Sequence, residues 1–278
     1  MPGLFRSLEM TASKGAEGLV RDAHKTLFES LTRLQCPNGG CAAPSGVPDA
    51  YYSFFAWLCL RALDPSAAEI AAVERYLLTC TPTSPIDALC ARIVRLNAPA
   101  GKRFLSRLRV FFSLLLKPPR DAYTAFLYAL TLDSVFASGI PKPLKRLIGK
   151  HLGGGHNGPQ TTTPRLAAQL TLMPPGHRDA GARRAALLQR RLPTGGFVSS
   201  ANAPSPDLLA TAVARFALAT HTPASLAADG TAADLAFVQT CWADDGLFGP
   251  TPYPTRGDAE HTFYALLALG TCRAREKF

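Results

Sequence analysis

The sequence predicts an all-α protein, an α6/α6 toroid built from about six helical hairpins. Apolar residues recur at the 3.6-residue spacing of amphipathic helices, while the two-residue alternation of strands is almost absent. Proline and glycine divide the 278 residues into about twelve helical stretches. A shared pattern at alternate stretches indicates repeats of roughly 35–50 residues, and six such hairpins close naturally into a ring.

The helical stretches follow from where the apolar periodicity begins and ends along the chain. They are 16–35, 49–63, 66–79, 84–97, 101–117, 120–137, 141–152, 162–172, 178–191, 206–220, 231–242 and 257–272. Asp49, Asp87, Asp121, Asp207 and Asp258 stand at the start of even-numbered stretches, where an aspartate caps free N–H groups and complements the helix dipole. Beyond the cap these stretches are rich in Ala, Leu, Phe and Tyr, which predicts inner helices buried on most sides.

Composition narrows the class of protein. The chain is 47% hydrophobic, which allows a full core and excludes collagen-like, coiled-coil and disordered classes. We find neither an apolar run of about 18 residues nor a secretory leader. Seven cysteines without a CxxC pair fit reduced thiols. We therefore expect one cytoplasmic domain over residues 1–278, with residues 1–15 as a disordered N-terminal tail.

The net charge of +10 is concentrated in the middle of the chain. Between Lys102 and Arg191 there are 16 lysines and arginines against three acidic residues. This basic segment predicts an acidic partner, either an anionic membrane surface or a partner subunit, and a solvated basic face is the plain alternative. Nucleic acid is not expected, because no zinc-finger spacing or RNP-like motif is present. Within the segment, Lys102–Lys117 could form an amphipathic helix that lies in a lipid headgroup layer or packs against neighbouring helices.

Three inner helices are preceded by the same turn. Each copy has a residue that ends a helix, three intervening positions, a glycine, one further residue and a side chain that can pack. The copies are Gln35–Cys41, Arg191–Phe197 and Trp242–Phe248. In each copy the glycine precedes the capping aspartate by ten or twelve positions, so the copies are repeats of one hairpin unit.

At these repeats the chain resembles the prenyltransferase and squalene-cyclase repeat superfamily. Phe237–Phe248 (FVQTCWADDGLF) is similar to the QW motif of squalene–hopene cyclases, with Trp242 in place of the glutamine. Asp258–Leu269 (DAEHTFYALLAL) is similar to the inner helix of protein prenyltransferase β subunits that carries a zinc-binding histidine. The resemblance implies an α/α toroid with a central cavity for an isoprenoid.

The resemblance also assigns candidate catalytic residues. It makes His261 a zinc ligand, but Leu209 stands where a thiolate ligand is required, so we expect no metal and no other cofactor. In class II terpene cyclases the same helix carries an Asp-x-Asp-Asp acid, to which Asp258, Glu260 and His261 correspond. Protonation of an alkene needs a neutral carboxylic acid in an apolar pocket, so Glu260 is the predicted acid, tuned by Asp258 or His261. In the alternative interpretation, Asp258 only caps the helix, Glu260 is solvated and His261 bonds a neighbour.

Aromatic residues of the inner helices are the candidate substrate-binding groups, because ring faces attract carbocations. They are Tyr51, Tyr52, Phe55, Tyr123, Phe216 and Tyr264. Aromatic residues at helical spacing fit a plain core equally well.

These features predict an enzyme that binds an isoprenoid or other polyene and resembles a squalene–hopene-type cyclase β domain. It would start a cyclisation or isomerisation by proton transfer, at the periphery of a membrane. The alternative is a non-catalytic toroid that acts as a lipid-binding or protein-docking subunit. A zinc-dependent prenyltransferase is a third possibility.

Overall fold

A computed structural model describes residues 3–97, 107, 110–111, 122–136, 140–141, 161–173, 176–221 and 231–273. Across these residues the protein is mostly helical, which confirms the all-α prediction. The eleven helices are α1 (Leu4–Glu17), α2 (Arg21–Arg33), α3 (Ala50–Leu63), α4 (Ala68–Thr79), α5 (Pro85–Asn97), α6 (Ala122–Val135), α7 (Thr163–Leu172), α8 (Ala180–Leu188), α9 (Leu208–His221), α10 (Thr231–Thr240) and α11 (Ala259–Arg273). None of the helices in these ranges combines the length and the hydropathy that crossing a membrane requires.

Ten of the predicted stretches coincide with helices α2 to α11. The stretches 101–117 and 141–152, with the amphipathic segment Lys102–Lys117, lie almost wholly outside the described residues, as does much of the basic segment Lys102–Arg191. The side chain of Tyr123 is also outside them.

Two short β-hairpins connect α2 to α3 and α8 to α9. Strand β1 (Cys41–Ala42) pairs antiparallel with β2 (Pro48–Asp49), and β3 (Phe197–Val198) pairs antiparallel with β4 (Pro206–Asp207). In the third repeat a bridge between Phe248 and Asp258 takes the place of the strand pair.

The three turns predicted to be repeats have the same structure. In each, a residue two or three positions after the end of the preceding helix forms an antiparallel bridge with the last residue of the turn. The bridged pairs are Gln35–Cys41, Arg191–Phe197 and Trp242–Phe248. The turn glycines Gly39, Gly195 and Gly246 have φ values between +80° and +96°, a left-handed conformation that glycine adopts without strain. The repeat is therefore a structural unit and not only a sequence pattern.

Aspartate caps follow each of these turns, as predicted. The side chains of Asp49, Asp207 and Asp258 each accept a hydrogen bond from the backbone N–H three residues later, at 2.7, 2.7 and 2.8 Å. These bonds satisfy N–H groups that have no partner within the helix. Asp121 lies outside the described residues.

Asp87 corrects the prediction of a fourth aspartate cap. The hydroxyl of Ser84 accepts the backbone N–H of Asp87 at 3.0 Å, and Asp87 Oδ2 accepts the N–H of Ser84 at 3.0 Å. This reciprocal arrangement is a capping box in which Ser84 is the cap and Asp87 is the third helical residue. The cap was misplaced because both residue types favour helix starts.

The predicted inner helices contact one another in chain order and return to the first. Helix α3 contacts α5, α5 contacts α6, α6 contacts α7, α7 contacts α9, α9 contacts α11, and α11 contacts α3. The other helices pack on this set: α2 on α3, α4 on α3 and α5, α8 on α7 and α9, and α10 on α11. The core lies among the inner helices, where Phe54, Trp57, Leu127 and Leu170 are fully buried.

Helix α1 corrects the expectation of a disordered tail over residues 1–15. Phe5, Leu8, Ala12 and Ala16 recur at helical spacing and are all buried, because α1 packs on α3, α6 and α11. The first helical turn is fixed from outside, since Asp133 of α6 accepts the backbone N–H of Phe5 at 2.9 Å. The N-terminal segment is thus part of the core.

Helix α1 crosses α11 at two glycines. A Cβ atom added to Gly15 would lie 1.9 Å from the carbonyl oxygen of Leu266, and one added to Gly270 would lie 1.8 Å from that of Thr11. Real Cβ atoms do not approach backbone oxygens so closely, so both positions require glycine for the two helices to meet.

Gly270→Ala is therefore expected to lower the free energy of unfolding by about 1–3 kcal/mol, because α1 must move away from α11. Urea denaturation measures this change. Gly181→Ala in α8 is the matched control, because a Cβ there meets nothing within 4 Å. It should stabilise the protein by up to about 1 kcal/mol. Equal stability of wild type and Gly270→Ala would contradict the crossing.

Candidate active site

Glu260 lies on the inside of the helix set, where α3 and α11 begin. It is the second residue of α11, and Tyr51 is the second residue of α3, so the two occupy equivalent places in neighbouring repeats. The hydroxyl of Tyr51 donates a hydrogen bond to Glu260 Oε1 at 2.5 Å. Glu260 is only 9% exposed. A carboxyl group held in this way is neither a cap nor a solvated surface charge.

Asp258 holds His261 by two hydrogen bonds. Its Oδ1 accepts the backbone N–H of His261 and its Oδ2 contacts the ring Nδ1, both at 2.8 Å. The contact with a carboxylate keeps a proton on Nδ1 and fixes the orientation of the ring. Asp258 therefore caps α11 and positions the imidazole beside Glu260 with the same side chain.

Burial dominates the proton affinity of Glu260. It raises the pKa of Glu260 above that of an exposed glutamate, while the Tyr51 hydrogen bond and the charge of His261 act in the opposite direction. Burial also disfavours the charged form of His261, but the hydrogen bond to Asp258 and the charges of Asp258, Glu260 and Asp207 outweigh it and raise the pKa of His261. The site thus combines a carboxyl group and an imidazole whose pKa values are both raised above those of the same groups in water.

Tyr52 lies next to Tyr51 at the start of α3. Its ring meets that of Tyr51 edge-on, with centroids 5.3 Å apart. Burial and the charges of Asp258, Glu260 and Asp49 raise the pKa of Tyr52 to about 12, so its hydroxyl stays protonated at neutral pH.

The raised pKa values of Glu260, His261 and Tyr52 predict that the free energy of unfolding decreases as the pH rises. A group whose native pKa is raised binds its proton more tightly in the folded than in the unfolded state, so its contribution is complete below the unfolded pKa and is lost above the native one. For His261 the unfolded value is about 6.5. We expect the Tm to fall as the pH rises above about 6.5, and the charged groups that act on the ring are Asp258, Glu260 and Asp207. In His261→Gln this part of the profile should flatten, and an unchanged slope would contradict the assignment.

The three polar residues also form a possible metal-binding group. One ligand atom from each of Asp258, Glu260 and His261 lies within 4.8 Å of the other two. However, both oxygens of Asp258 and one of Glu260 already accept hydrogen bonds, and Nδ1 of His261 faces Asp258. Leu209, at the equivalent place of α9, supplies no ligand atom.

Below this cluster the interior is apolar and follows the repeat. In α3, α9 and α11 the residues two, six and nine positions after the capping aspartate face the same interior. Seven of these nine residues line one of two small cavities, and the other two, Tyr51 and Glu260, contact each other. These triplets are Tyr51, Phe55 and Leu58; Leu209, Val213 and Phe216; and Glu260, Tyr264 and Leu267. At the first of the three positions the repeat thus places one acidic residue, Glu260, and at the two later positions it places aliphatic and aromatic residues.

Most of the predicted aromatic residues meet in this interior. The ring centroids of Tyr51 and Phe55 are 5.0 Å apart, and those of Phe55 and Tyr264 are 5.6 Å apart. Phe216 lines the larger cavity. The position of the Tyr123 side chain is not among the described ones. Phe126 and Phe263 line both cavities, and sequence reasoning missed Phe263, which lies one helical turn after Glu260.

The interior is nearly filled. The larger cavity, among α1, α6, α7, α9 and α11, has a volume of about 20 Å³. The smaller, among α1, α3, α6 and α11, has about 10 Å³. Spaces of this size hold about one water molecule, whereas small-molecule pockets usually measure about 300–1,000 Å³. A ligand can enter either of these two cavities only if lining side chains move.

Comparison with known proteins adds no family assignment. No protein-family model matches the chain, and no curated protein is significantly similar to it in sequence. The repeats and the Glu260 cluster therefore carry the functional interpretation.

Proposed function

We propose that this chain is an α6/α6-toroid enzyme that transfers a proton from Glu260 to an alkene carbon of an isoprenoid or other polyene. The observation that carries the proposal is the buried Glu260 carboxyl, bonded to Tyr51 at 2.5 Å above an interior of aromatic side chains. This arrangement is what an acid needs in order to remain neutral until a double bond reaches it.

The closed circuit of inner-helix contacts supports the toroid. Four hairpins pair an outer with an inner helix: α2 with α3, α4 with α5, α8 with α9, and α10 with α11. The stretches 101–117 and 141–152 precede α6 and α7 in the chain and are the predicted outer helices of the remaining two hairpins. Six hairpins with a common repeat would then surround one interior.

Each group at the site has a role in the proposed step. Glu260 gives its proton to one alkene carbon, the π electrons form the new C–H bond, and the adjacent carbon becomes cationic. The Tyr51 hydrogen bond and the nearby charge of His261 stabilise the carboxylate that remains. The faces of Phe55 and Tyr264 stabilise the cation. The reaction ends when a neighbouring carbon of the cation loses a proton to the Glu260 carboxylate, which restores the acid. The net reaction is an isomerisation or a cyclisation.

A basic surface would assist this chemistry. The segment Lys102–Arg191 is expected to hold the protein against anionic lipid, in which apolar polyenes dissolve. No metal or other cofactor is needed for the step.

One observation favours a second candidate. Because the larger cavity has a volume of only about 20 Å³, the chain could instead be a non-catalytic toroid that docks a partner subunit or binds lipid outside the ring. Zinc-dependent prenyl transfer remains a third candidate, with Asp258, Glu260 and His261 as the available ligands.

Conversion of a polyene in D₂O tests the proposal. Squalene and a linear isoprenoid alcohol are incubated with the purified protein, and the products are analysed by mass spectrometry. The proposal predicts an isomeric product with one deuterium at a carbon. Absence of conversion, together with a second polypeptide in native mass spectrometry, would favour the docking subunit. Stoichiometric zinc with transfer to an acceptor would favour the prenyltransferase.

A further inference from the structure

Helix α1 lies at the end of the interior opposite Glu260. The capping aspartates mark the N-terminal ends of α3, α9 and α11, whereas α1 contacts residues in the C-terminal halves of α3 and α11. Glu9 pairs with Arg61 at 2.8 Å, and the ring of Phe5 stacks on that of Trp57 with centroids 6.2 Å apart. With Gly15 against Leu266, these contacts anchor α1 along its length. Helix α1 therefore closes the end of the interior opposite Glu260, and we call it the floor of the interior.

Leu8 is the residue of α1 that separates the two cavities. It lines both of them, as do Phe126, Phe263 and Tyr264 of the inner helices, and it is 3% exposed. Phe5 lines the smaller cavity alone. Shortening Leu8 would therefore join the two spaces and extend the interior away from Glu260.

We propose that Leu8 sets the size of the ligand that the interior accepts beneath Glu260. The inference rests on the proposed function and specifies its substrate as a small, neutral hydrocarbon portion. Among the residues that the structure describes, no charged side chain lines the larger cavity, so the ligand there is expected to be apolar and uncharged. Glu260 and Leu267 are seven helical positions apart, and Leu267 lines the larger cavity with Leu8. The distance along α11 from Glu260 to the level of Leu8 is therefore roughly 10 Å.

Binding of linear 1-alkenes, from hexene to hexadecene, tests the inference. The readout is the increase in Tm that each alkene causes at saturation, because a ligand that binds only the folded state stabilises it. Wild type should respond to the shortest members at most. Leu8→Ala should respond to chains longer by about three carbons, the number that the substitution removes. Leu8→Val, which removes one carbon, should give a smaller extension and serves if Leu8→Ala does not fold.

Leu27→Ala is the matched control. Leu27 in α2 is fully buried but lines neither cavity. The substitution should lower the Tm in the absence of ligand, as Leu8→Ala does, without changing the longest alkene bound. The inference is overturned if a folded Leu8 variant has the same length limit as wild type, or if Leu27→Ala extends the limit equally.

Failure of the acid chemistry gives a different result. Glu260→Gln should retain the length limit of wild type, because the substitution leaves the floor unchanged. If no variant converts a polyene but Leu8→Ala still extends the limit, then the proposed reaction is wrong and the role of Leu8 stands.

Discussion

Glu260→Gln is expected to reduce deuterium incorporation into the polyene product by about 10²–10⁴-fold, the usual contribution of general acid catalysis. Glutamine keeps the shape of the side chain and can still accept the Tyr51 hydrogen bond through Oε1, but it has no acidic proton to transfer. Near-UV circular dichroism should be unchanged, because burial of an amide with the same hydrogen bond preserves packing. The assay is the conversion in D₂O, measured as initial rate.

Two variants distinguish the acid from its surroundings. Tyr51→Phe leaves the proton donor in place, so the loss of rate should be smaller than for Glu260→Gln. Because the Tyr51 hydrogen bond lowers the pKa of Glu260, its removal should move the basic limb of the pH–rate profile to higher pH. Glu29→Gln, on the exposed face of α2, is the charge-matched control and should keep full activity. Full activity of Glu260→Gln would refute the assignment of the acid.

The sequence was sufficient for the parts of the fold that have local causes. Apolar periodicity and the Gly-turn repeat predicted helices α2 to α11, and Asp49, Asp207 and Asp258 act as caps because the required contact is only three residues away. Asp87 shows the limit of this reasoning. Ser84 is also a good cap and lies one helical turn earlier, so composition alone could not choose between the two residues.

Helix α1 was missed although Phe5, Leu8, Ala12 and Ala16 recur at helical spacing, because the stripe ends in two small alanines. No side chain near its N-terminus in the sequence caps it. The cap is Asp133, which is 128 positions away from Phe5 in the chain. The same reason hid the role of Tyr51, since the contact that makes it a partner of Glu260 joins residues 209 positions apart.

Asp234 is expected to be the residue on which the stability of the last two hairpins depends most. It is fully buried on α10 and holds Arg191 through both carboxylate oxygens at 3.1 and 2.9 Å. It also accepts the backbone N–H of Gly196 at 2.9 Å and lies 3.4 Å from Arg215 of α9. One carboxylate thus joins a repeat turn to two helices.

Asp234→Asn should lower the free energy of unfolding by about 3–5 kcal/mol, because it leaves the buried guanidinium of Arg215 and the half-buried one of Arg191 facing a neutral amide. Urea denaturation measures the loss. Asp244→Asn, at an exposed site near the next turn, should change stability by no more than about 0.5 kcal/mol. A loss below about 1 kcal/mol for Asp234→Asn would mean that the ion cluster stabilises little. A loss of about 3–5 kcal/mol would show that the Asp234 carboxylate stabilises the packing of α9, whose Leu209 and Val213 line the larger cavity.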